Sequence, residues 1–171
     1  MEVINFLTRR RRSITIWSGI IVLALLAVGF LVRQKVVVQL RHAHVAARGA
    51  HVMPFDLEET THIFQPLPKG GLQTVVADNP ADTQQISLIQ THLQSEADKF
   101  SSGDFSDPAA IHGEAMPGLS ELAEGSQNIQ IQYSSLPNGG EIRYRTQNPA
   151  LISALHDWFA AQRSDHGHHA Q

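Results

Sequence analysis

Leu67-Pro68-Lys69-Gly70-Gly71 and Leu136-Pro137-Asn138-Gly139-Gly140 decide the fold, because they are one pattern written twice. Each is followed by a short run, Leu72–Ala77 and Glu141–Thr146, and then by Asn-Pro-Ala at 79–81 and 148–150. Every matched position lies 69 residues from its counterpart. With three residues deleted from the first copy, Ile86-Ser87-Leu88-Ile89 falls over Ile152-Ser153-Ala154-Leu155. An internal repeat fixes an architecture before any single element is placed.

Each copy reads as strand, tight turn, strand, helix. The Pro-x-Gly-Gly stretch supplies the positive φ values of a hairpin loop. Ile129, Ile131 and Tyr133 alternate with Asn128, Gln130 and Gln132, as in a half-buried strand. Asn-Pro then opens a helix, with proline in its first turn. Leu151, Ile152, Leu155, Trp158 and Phe159 form one apolar stripe, and Ile86, Ile89, Leu93 and Ala97 form the matching one. The expected fold is α+β: a duplicated ββα domain over residues 53–163, with a four-stranded antiparallel sheet and two helices on one face. Neither hairpin is stable alone, which gives the duplication a physical reason. Chance likeness between two generic hairpins is the competing reading. Between the copies, Ser101–Gln127 is rich in small and polar residues, and Asp104-Phe105-Ser106-Asp107-Pro108 reads as a capped turn entering a short helix. A segment of this length inside a compact domain reads as an ordered binding loop.

Ahead of the domain the chain changes character. Residues 1–13 are basic and end on Arg9–Arg12, and residues 14–32 carry no charge. Nineteen helical residues just span a hydrocarbon core of about 30 Å. The run closes on Phe30-Leu31-Val32-Arg33, a poor cleavage site, which favours one transmembrane signal anchor over a cleaved leader. The arginine block places the N-terminus in the cytoplasm of a single-pass inner-membrane protein, with the domain in the periplasm. Residues 33–52 read as a juxtamembrane linker breaking at Gly49, and 164–171 as a His-rich tail. Net charge is −3, yet most Lys and Arg precede residue 49, so the domain itself is acidic. That argues against nucleic acid as a partner.

The chain holds ten histidines and no cysteine, which removes thiol nucleophiles and cysteine-bound zinc. No nucleophile elbow, phosphate-binding glycine loop or His-Glu-x-x-His occurs. His112 and Met116 lie four apart, a spacing that brings an imidazole and a thioether toward one point and suits copper or haem iron. His51 and Met53 echo the pair. His62, His156 and His166 are the candidates to complete the sphere. Each of these side chains equally suits a packing or surface role.

Three groups of stretches resemble a family of small exported bacterial proteins over roughly residues 48–169. They are Val52–Glu58 with Thr60-Thr61-His62; Gly103–Pro108 with His112-Gly113 and Met116–Leu119; and Ala154–Phe159 with Asp165-His166-Gly167. Members are often labelled aspartate carbamoyltransferase. This chain has no Ser-Thr-Arg-Thr loop and no His-Pro-x-Gln, and is too short for that two-domain enzyme. The resemblance therefore implies an exported domain rather than that activity. The functional expectation is a membrane-anchored periplasmic domain binding copper or haem through His and Met. The alternative is a non-catalytic accessory subunit of a larger membrane complex.

Overall fold

The computed structural model describes residues 2–167 and 170, with side chains at 23 and from 25 onward. It divides into two compact units, Met1–Arg41 and His42–Gln171. The first unit belongs to one helix, α1 (Glu2–Val52). Among the described residues no helix is long and apolar enough to cross a membrane. More than half of the side chains of Ile14–Val32 lie outside the described residues. The large apolar side chains left exposed, Leu23 to Leu40, all sit on α1. The helix does not break at Gly49, whose carbonyl still accepts from Met53 N at 2.8 Å. It ends just before Pro54, where the proline ring disfavours helical backbone in the residue preceding it.

The second unit continues with β1 (Thr60–Leu67), β2 (Gly70–Ala77), α2 (Thr83–Ser101), α3 (Ser106–His112), α4 (Leu119–Gly125), β3 (Gln130–Leu136), β4 (Gly139–Arg145) and α5 (Pro149–His166). The strands form one antiparallel sheet in the order β1-β2-β4-β3. The hairpin registers coincide. Leu67 pairs with Gly70 and Phe64 with Gln73; Leu136 pairs with Gly139 and Tyr133 with Ile142, the same pairs 69 residues on. At the centre of the β2–β4 ladder Gln73 pairs with Ile142, its own counterpart.

The glycines of the two turns are explained by close approach more than by dihedral angle. Of the four, only Gly70 has positive φ, at 143°. A Cβ there would lie 1.9 Å from the Tyr144 carbonyl oxygen, and one on Gly139 would lie 2.0 Å from that of Val75, the matching contact. Gly71 lies beneath Phe159 of α5 and Gly140 beneath Leu93 of α2. Those contacts show how the layers connect: α2 packs over β3 and β4, and α5 over β1 and β2. Each helix covers the hairpin of the other copy. The core between helices and sheet contains Phe64, Val75, Ile142 and Tyr144 against Ile89, Leu93, Leu155, Trp158 and Phe159. Trp158 and Phe159 are fully buried, as their stripe implied.

α5 begins as the sequence suggests. The Asn148 side chain accepts from Ala150 N at 3.0 Å, with Pro149 in the first turn. The first copy departs from this. Asn79-Pro80 stays in a turn, and Asp82 caps α2 by accepting from Gln85 N at 3.0 Å. The extra residues in this copy bring an aspartate, whose carboxylate takes over the capping role. Residues 101–127 are ordered as α3 and α4. Asp104 accepts from Ser106 N at 2.9 Å at the start of α3, and Phe105 stacks on Phe100 with ring centroids 4.5 Å apart.

Candidate functional site

Four segments distant in sequence meet at one end of the helix layer. β1 turns His62 inward by its alternation with Ile63, and the histidine is 3% exposed. The last turn of α3 delivers His112, and the last turn of α5 delivers Asp165 and His166. The fourth segment, Met53–Glu59, is clamped to α2. Gln85 Nε2 donates to Asp56 O at 2.7 Å, and Asp56 N donates back to Gln85 Oε1 at 3.1 Å. That clamp sets Phe55 beside His62, with ring centroids 6.2 Å apart.

The cluster is ordered by one buried ionic hydrogen bond. His112 Nδ1 donates to Asp165 Oδ2 at 2.9 Å, and both side chains are almost fully enclosed. A carboxylate acceptor on Nδ1 fixes the tautomer and the orientation of the ring. The His166 ring lies edge-on to His112 at 5.1 Å between centroids and stacks on His62 at 5.0 Å, nearly parallel. Among the described residues there is no group of three or more His, Asp or Glu side chains that could hold a metal ion.

Two cavities adjoin the cluster and share His62 and His166. The inner one is about 40 Å³, and its walls include His112, Gln73, Gln162 and Trp158. A water needs about 10–15 Å³, so this space admits a few small polar species. Trp158 Nε1 and Gln162 Oε1 are buried without a hydrogen-bond partner, and an indole donor and an amide acceptor suit a polar occupant. The outer cavity is about 200 Å³ and brings His42, Glu58 and Asp165 alongside the two shared rings.

The walls of the inner cavity also include Glu96 of α2 and Asp107 of α3, which share Lys99 of α2 as an ion-pair partner. Lys99 Nζ lies 3.1 Å from Glu96 Oε1 and also pairs with Asp107. Burial, reinforced by the hydrogen bond with Asp107, pushes the Glu96 carboxyl up to about 7. For Asp107 burial acts upward, but hydrogen bonds from Glu96 and Lys99 prevail and leave it below its ordinary value. Glu96 is thus the member of this carboxyl pair that more readily holds a proton. Burial also lowers His92, the neighbouring imidazole.

Of the five residues singled out in the sequence, three converge: His62, His112 and His166. Met116 is placed otherwise. It packs in the apolar core and lines neither cavity. His156 is also elsewhere, with Nε2 3.0 Å from the carbonyl oxygens of both Leu67 and Gly70, fastening α5 to the first hairpin turn. The tail meets β1, where Ala170 bridges His62, while His168 and His169 lie outside the described residues. Asp165 and Glu96 were missed as site residues, although both were readable as charges lying on an apolar helical stripe. No protein-family model, curated protein or solved structure matches the chain.

Proposed function

We propose that the domain binds a single transition-metal ion through His62, His112 and His166, and that the N-terminal helix holds it at a membrane. The observation that carries the metal reading is the Asp165–His112 hydrogen bond. It orients one imidazole in the manner usual for metal ligands, beside two further rings from other segments. Imidazole donors suit copper, zinc and nickel, and the stability order of divalent ions puts copper first. Placement of Met116 in the core removes the thioether from this ligand set. The small inner cavity supports an ion over haem, whose macrocycle exceeds it many times.

The anchor rests on the sequence of Ile14–Val32 and on the exposed apolar side chains from Leu23 to Leu40. The periplasmic location rests on the arginine block and on the resemblance to exported proteins. We read the two ββα halves as copies, since their hairpin registers agree at one constant offset. The accessory-subunit reading draws support from the sheet face opposite the helices, where Glu141 and Arg143 are half-buried and Arg145 is exposed among the described residues.

Full-length protein in mild detergent, loaded separately with Cu(II), Cu(I), Zn(II) and haem and then desalted, tests the metal reading. About one copper per chain is expected, with nitrogen couplings in the Cu(II) spin-resonance spectrum and loss of both in His62→Ala/His166→Ala. Metal-free protein after every loading overturns it.

A further inference from the structure

The opposite end of the sheet holds a groove of about 790 Å³, which concentrates positive charge in an acidic domain. After residue 48 the chain has five Lys and Arg against fifteen Asp and Glu. Two of the five lie elsewhere: Lys99 pairs with Glu96 and Asp107, and Arg163 donates to the Phe64 carbonyl at 2.7 Å. The other three, Lys69, Arg143 and Arg145, all line this groove, and no carboxylate does.

The backbone holds the three cations together. Lys69 O accepts from Thr146 N at 3.1 Å, Gly70 pairs with Arg145, and Leu72 pairs with Arg143. Arg143 and Arg145 alternate with the inward Ile142 and Tyr144, so they point from the open face of the sheet. Their Cα atoms are about 7 Å apart at strand spacing. Glu141, two residues back on the same strand, pairs with Arg143 at 3.7 Å and offsets part of this charge. Like charges packed this closely repel, and an acidic domain has no general need of them.

The repeat supplies an internal control. Stepping back 69 residues from Arg143 and Arg145 gives Thr74 and Val76, and stepping forward from Lys69 gives Asn138. The scaffold thus presents two equivalent ends, and the cations stand at one alone, for the counterparts of Gln127, Asn128 and Gln147 at the other are Glu58, Glu59 and Asp78. The charges are therefore no requirement of the ββα fold.

We propose that this groove binds a multiply charged oxyanion, carboxylate or phosphate in chemistry, clasped by the two guanidinium groups with Lys69 at the rim. Guanidinium forks match the paired oxygens of such anions, and the amide groups of Gln130 and Gln147 add neutral donors. The volume suits a small organic ligand. The site lies across the sheet from the histidine cluster and does not depend on the metal reading.

Calorimetric titration of full-length protein in non-ionic detergent at low salt tests it, with citrate as the carboxylate probe and pyrophosphate as the phosphate probe. Saturable binding of at least one probe is expected. Arg143→Gln/Arg145→Gln should weaken it at least about tenfold, and rising sodium chloride should weaken it progressively. Asn138→Ala, at the other end, should leave affinity unchanged. Lys69→Gln, on an exposed turn, gives the same reading if the double variant loses its fold. No binding below about 1 mM by either probe, or binding that ignores both sets of substitutions, overturns the proposal.

Discussion

His112 donates its Nδ1 hydrogen to Asp165 across 2.9 Å in a place where water scarcely reaches, joining the end of α3 to the end of α5. The bond is a strut between the two helices. Removing one partner strands a buried polar group, at a cost of about 3 kcal/mol. Asp165→Ala should lower stability by that amount in urea unfolding, while Asp165→Asn, which still accepts from Nδ1, should lose less than half as much. Equal losses would show that the hydrogen bond is not what Asp165 supplies.

Glu96 gives a pH signature. Its folded-state value is about 7 against an unfolded value near 4.5, so the folded protein holds the extra proton between them. The associated stability is complete below about pH 4.5 and disappears as pH climbs through 7. Asp107 acts in the opposite sense: its contribution is present above its unfolded value and fades as pH falls. Between about pH 5 and 7.5 Glu96 lowers Tm as pH rises, while His92, whose value burial depresses, acts in the opposite sense. Glu96→Gln should remove the downward part and make the slope of Tm against pH more positive; an unchanged slope in the variant would mean that Glu96 holds no extra proton in the fold.

The turn glycines separate two kinds of constraint. Gly139→Ala drives a Cβ to 2.0 Å from the Val75 carbonyl oxygen, against backbone that cannot yield, and should cost at least about 3 kcal/mol. Gly113 has open space around it but φ 97° and ψ 151°, a conformation reserved almost entirely for glycine. Gly113→Ala should cost about 2 kcal/mol through strain alone and shift the adjacent His112. Denaturant midpoints rank the two, and a milder effect at Gly139 would contradict the contact.

Trp158 meets Phe100, Phe105, Tyr144 and Phe159 at centroid distances of 5.6 to 6.0 Å, at the junction of both helices and the sheet. Trp158→Ala should remove about 4 kcal/mol and dissolve the near-ultraviolet dichroism of the aromatic cluster. Retention of that signal would mean that the cluster holds without its central ring.

Local signals explain why the hairpins and stripes were legible in the sequence while much of the site was not. Alternation around Tyr133, the paired glycine turns and the spacing of Leu151, Leu155 and Trp158 each report on a few neighbouring residues. The convergence of His62, His112 and His166 depends on α5 crossing to the first hairpin, which no local pattern encodes. His156 was misplaced for the same reason, because its face of α5 meets the Leu67–Gly70 turn. Met116 follows the His-x-x-x-Met spacing, but the turn at Gly113 separates it from the helix carrying His112, and its thioether enters the core. Asp165 and Glu96 were visible only as interruptions of apolar stripes, a sign that a helix buries something charged.

Because α5 lies over β1 and β2, the first hairpin is sealed by a helix made only after all four strands. Phe64 waits for its cover until Phe159 has been made, and any stop codon before Trp158 leaves it without one. A helix that looks peripheral to the sheet is here the closing stroke of folding. A nascent chain of this kind has a long interval of exposed apolar surface, in which a holding chaperone has more to grip than the finished domain would offer.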